Sequence, residues 1–165
     1  MTMLEAHRLQ PRLIGFATFA LAVCVASTQF GASAIAAQKA SKPIYVDGRG
    51  LAVGGFDVIE YLRANKAERG SASFVTTYLG AEFRFVSADN RDAFLQDPAR
   101  YVPQFGGHCA YAISKGEVRK CDPRRFSVRD GKLYLFSSER VRKRWLTRET
   151  DLLAAALATW RKLFP

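Results

Sequence analysis

The sequence predicts a small α+β domain in which two β-hairpins are accompanied by about four helices. Three observations carry this. FSVRDGKLYLF, from Phe126 to Phe136, is two alternating segments split at Asp130-Gly131. SFVTTYLGAEFRFVS divides in the same way near Gly80. Helix starts follow each of these segments, with no βαβ alternation that would call for a parallel sheet. A chain of 165 residues suits one domain with a substantial core and is short for two. Its 48% hydrophobic content, with both signs of charge, excludes a disordered or fibrous chain.

Residues 1–37 stand apart from that domain. Arg8 and Arg12 precede an uncharged run from Leu13 to Ala37. Its most apolar part, Leu13 to Ala26, falls short of the roughly 20 residues that a membrane span needs. Small residues follow, and Ala34-Ile35-Ala36 fits the A-x-A pattern of a secretory signal peptide cut between Ala34 and Ala37. The expected location is the periplasm or the exterior. One alternative keeps the run uncleaved as a membrane tether. Another reads Leu21-Ala22-Val23-Cys24 as a lipoprotein site, although Val23 is not the small residue such a site wants.

Residues 38–49 form a short lead in which Ile44-Tyr45-Val46 can make a brief edge strand. Gly54-Gly55 makes a turn, and Asp57 caps a short helix through Leu62. After the first hairpin, Ser87 caps SADNRDAFLQDPARY, which Pro98 ends or restarts. The second hairpin has a type I′ signature at Asp130-Gly131, a turn that needs positive φ at both positions. Its register puts Phe126 and Val128 on one face with Leu133 and Leu135, and Ser127, Tyr134 and Phe136 on the other. That first face is the expected core face. Ser138 caps a helix to about Arg148. Beyond it Leu152, Leu153, Ala156, Leu157, Trp160, Leu163 and Phe164 recur at spacings of three and four, as on a helix packed across the sheet.

Cleavage removes Arg8, Arg12 and Glu5, which lowers the net charge from +10 to +9. Such a charge favours anionic partners, an anionic membrane surface or an acidic protein, while export argues against nucleic acid. The run Arg140-Val141-Arg142-Lys143-Arg144 reads as a solvated helix face.

The chain from about Gly50 to Pro165 resembles the YHS domain family, in particular its exported single-domain bacterial members. The residues that carry the likeness are GGFDVIEYL, FRFVSADNRDAFLQDPARYVPQFGGHCAYAISKG, CDPRRFSVRDGKLYLF and the tryptophans Trp145 and Trp160. The resemblance implies a metal-binding module of treble-clef-like shape, with the family cysteine at Cys109. His108 stands where relatives more usually carry an aromatic, and Cys121 is also particular to this chain.

The chemistry of PQFGGHCAYAISKG leaves three readings open. Cys109, with His108 and Cys121 assisting, can bind Cu or Zn; two thiolates suffice for Cu(I), whereas a closed zinc site needs a fourth ligand such as Asp57 or Asp122. An exported chain also invites a Cys109–Cys121 disulfide, worth roughly 3 kcal/mol by loop-closure entropy. Third, if Gly106-Gly107 open a helix, Cys109 lies in its first turn as an activated thiol. Nucleophilic catalysis would further need a fitted cleft and an orienting third residue, which the sequence does not supply, so the expected role is non-catalytic.

Overall fold

The computed structural model describes residues 43–165; the signal-peptide reading and the first residues of the lead lie outside the described residues. Helix α1 is Val58–Ala64, followed by strands β1 (Ser71–Tyr78) and β2 (Ala81–Phe85). Helices α2 (Ala88–Gln96), α3 (Pro98–Tyr101) and α4 (Ala110–Ser114) lead to β3 (Asp122–Arg129) and β4 (Lys132–Phe136). Helices α5 (Glu139–Leu146) and α6 (Glu149–Leu163) complete the chain. The fold is therefore α+β, with two antiparallel two-stranded sheets and six helices rather than about four. The additional helices are α3 and α4, both of five residues or fewer, too short to leave a periodic signature in sequence.

The caps follow the side chains. Asp57 accepts from the Ile59 amide, Ser87 from that of Asn90 and Ser138 from that of Val141. Asp97 ends α2 and caps α3, whose first residue is Pro98. Both hairpins turn on two residues of positive φ, Leu79-Gly80 and Asp130-Gly131. The expected register of the second hairpin holds, with Phe126 opposite Leu135 and Val128 opposite Leu133.

The expectation of a single core face does not hold. Leu133, Tyr134, Leu135 and Phe136 are all buried, because two hydrophobic clusters grip β4 from opposite sides. Leu133 and Leu135 join Phe83, Phe85, Phe94 and Tyr61 in one cluster. Tyr134 and Phe136 join Trp145, Leu152 and Trp160 in the other. Helix α6 buries Leu152, Ala156 and Trp160 and packs chiefly on α4, while Leu157 and Leu163 stay partly in solvent. The lead is also no strand: Val46 makes one isolated bridge with Ala52, and the Tyr45 amide donates to the Gly106 carbonyl at 2.8 Å.

Candidate thiol site

The loop that opens α4 is built from three successive left-handed residues, Phe105, Gly106 and Gly107, with φ of 58°, 60° and 85°. The two glycines adopt this freely, whereas Phe105 is strained there and is held by burial of its ring beside Tyr134 and Trp160. Gly106 is needed for a second reason: a Cβ at that position would stand 2.0 Å from the Pro43 carbonyl oxygen. The chain then runs extended through His108 (φ −71°, ψ 162°) into Cys109, which is the N-cap of α4 and not part of its first turn. The picture of a thiol within a helical turn therefore fails, and a helix of five residues has little dipole to offer.

Extended backbone sends neighbouring side chains to opposite sides. The His108 ring goes to Tyr45, 5.4 Å away between centroids, and to Trp160, at 6.1 Å. Only 9% of the residue is exposed, and its Nδ1 is buried with no hydrogen-bond partner among the described residues. Burial holds the imidazole below its ordinary value of 6.5, with the Arg119 backbone pulling the other way.

The Cys109 sulfur instead meets Ser137. The Ser137 amide donates to Cys109 Sγ at 3.3 Å, and the Ser137 hydroxyl lies 3.6 Å from the same sulfur. Cys109 itself is clamped by the backbone: its amide donates to the Arg119 carbonyl at 3.0 Å, and it bridges Leu135 in parallel. Cys121 follows Arg119 by two residues and precedes Asp122, which pairs with Phe136. The backbone bond from Cys109 to Arg119 brings the two cysteines into one neighbourhood, close enough for charge on one to act on the other, and both are free thiols. Burial pushes the Cys121 thiol up to about 12; charge on Cys109 pushes the same way, against hydrogen bonding from its own backbone.

Asp57 is elsewhere and already engaged. Its carboxylate accepts from the Ile59 and Val86 amides and from Asn90 Nδ2, each at 2.8 Å. Asn90 also reaches Glu60, and Arg63 donates to Asn90 Oδ1, so this buried network is closed on itself. Asp122 caps the start of β3 through the Arg124 amide and pairs with Arg125. Among the described residues no three His, Cys, Asp or Glu side chains are grouped to hold a metal ion. The donor set falls to two thiols, with His108 alongside in sequence but turned toward Tyr45 and Trp160.

Sequence reasoning missed Ser137, since a serine directly before a capping serine carries no signal of its own. No family model matches the chain, and neither does any curated protein or solved structure.

Proposed function

We propose that the protein is an exported, non-catalytic module that handles a soft metal ion, Cu(I) ahead of Zn(II), on Cys109 and Cys121. The observation that carries this reading is a pair of unbonded thiols held in one neighbourhood by the Cys109–Arg119 backbone bond, one of them receiving the Ser137 amide. Two soft sulfur donors satisfy Cu(I), while structural zinc wants four ligands and has no third or fourth candidate among the described residues. The likeness of the motif residues to YHS domains, with their treble-clef-like relatives, supports the same reading. So do the basic start and short apolar run of residues 1–37, a pattern suited to export into an oxidising compartment.

The residues divide the work simply. Cys109 and Cys121 give up their protons and supply thiolate sulfur. Ser137 orients Cys109 and stabilises negative charge on its sulfur by donating the amide N–H. His108 fills the aromatic pocket behind the loop and fixes its conformation. Because Cys121 holds its proton so firmly, uptake of the metal is strongly pH-dependent. If both thiols are deprotonated on binding, affinity rises about 100-fold per pH unit near neutrality. The basic surface gives the module an attraction to an anionic membrane or an acidic protein.

Mass measurement of the non-reduced protein comes first. A loss of two hydrogens would replace this reading with that of a disulfide staple across the same pair. For the reduced protein, competitive titration with Cu(I) should give one ion per chain and two protons released. Cys109→Ser and Cys121→Ser should each weaken binding at least about 100-fold. Equal, weak binding by wild type and both variants would end the proposal.

A further inference from the structure

A recess borders Cys121. Phe56 and Arg69 face one another in an isolated antiparallel bridge, and Arg124 arrives from the start of β3. The Arg69 guanidinium carbon stands 4.8 Å from the Phe56 ring centroid and that of Arg124 stands 5.5 Å from it. The two charges are therefore held within about 10 Å of each other, roughly one Debye length at 0.1 M salt. Among the described residues neither is ion-paired with a carboxylate, whereas the neighbouring Arg84 and Arg125 are paired with Glu82 and Asp122. Arg69 is steadied by a 3.4 Å bond to the Gly54 carbonyl.

Around these groups is a cleft of about 210 Å³, lined also by Tyr45, Cys121 and Pro123. Among the described residues one carboxylate borders it, that of Asp47. It is already committed to Arg49, at 2.8 Å, and to the Arg49 and Leu51 amides. Stacking on a ring face compensates a guanidinium only in part, and it leaves the N–H edges free to donate. Two such forks with unused donors, over a recess smaller than a drug-sized pocket, match a compact oxyanion.

We propose that Arg69 and Arg124, stacked on Phe56, form a binding site for a small tetrahedral oxyanion of the phosphate class beside Cys121. The site borders the thiol pair at Cys121 but draws its donors from the two arginines and does not depend on metal binding. Free phosphate and a phosphate ester share the chemistry that these forks recognise, so both belong in the test.

The test is an NMR titration of the ¹⁵N-labelled full chain with inorganic phosphate, and in parallel with methyl phosphate. Saturable shifts are expected at the amides of Phe56, Arg69, Cys121 and Arg124. Tighter binding of inorganic phosphate identifies the free ion as the ligand, and tighter binding of methyl phosphate identifies an ester. Arg69→Gln and Arg124→Gln should each weaken binding about tenfold or more with an otherwise unchanged spectrum. The triple variant Arg140→Gln, Lys143→Gln, Arg144→Gln should bind within about twofold of wild type. Cys109→Ser should also bind normally, which separates this site from the metal reading. Shifts that rise linearly without saturation, or equal weakening by the triple variant, would show general attraction to a basic chain and overturn the proposal. So would binding only to vesicles containing anionic lipid.

Discussion

Single positions around the thiol loop make sharp demands on their side chains. At Gly106 a methyl group would meet the Pro43 carbonyl and the backbone sits at φ +60°, so Gly106→Ala is expected to cost about 3 kcal/mol in urea denaturation. His108 gives a pH effect whose sign follows from its depressed titration. Well above pH 6.5 the ring is neutral in both the folded and unfolded chains. As pH falls below 6.5 the unfolded chain takes up a proton before the folded one does, so stability declines until the folded ring titrates as well. His108→Phe, which keeps an aromatic between Tyr45 and Trp160, should flatten that part of the profile between pH 7 and 5. An unchanged slope would place the effect on other groups. For Cys121, alkylation by iodoacetamide at pH 8 should run about tenfold slower, or more, in the folded chain than in urea, followed by peptide mass.

Among the elements, α1 depends most on one residue. Asp57 caps it and also ties it to the end of β2 and to α2 through Val86 and Asn90. Asp57→Ala strands three donors in a buried place and should cost about 3–4 kcal/mol by urea midpoint, well above the usual loss of a cap. The caps at Asp57, Ser87 and Ser138 and the turn at Asp130-Gly131 were all legible in sequence. Each is a local contest between a side chain and its own backbone. The thiol site was legible only in half. The Cys109 motif announces a special loop, but the nearness of Cys121 and the bond from the Ser137 amide depend on how the distant β3–β4 segment meets that loop. Such features arise from long-range pairing and leave no periodic trace. The arginines over Phe56 were hidden for the same reason, since their positions lie 55 residues apart in sequence.

At the scale of the molecule, the two hydrophobic clusters share β4, which has no solvent face among Leu133 to Phe136. Neither cluster can be exposed without removing one wall of the other. The expected outcome is one cooperative transition. Tryptophan fluorescence, which reports Trp145 and Trp160 in one cluster, should give the same urea midpoint as far-UV circular dichroism of the whole chain. Distinct midpoints would mean that the clusters melt as separate units.

Cys109 is bonded into this arrangement from the side: it bridges Leu135, one of the two β4 residues in the first cluster, and its own helix carries Ala110 and Ile113 into the second. By linkage, any species that grips the sulfur only when the chain is folded lends its binding energy to both clusters at once. At a hundredfold excess over its dissociation constant that amounts to about 2.7 kcal/mol. A simple melting curve, recorded against candidate ions and oxidants, thereby becomes a direct readout of what this thiol has met.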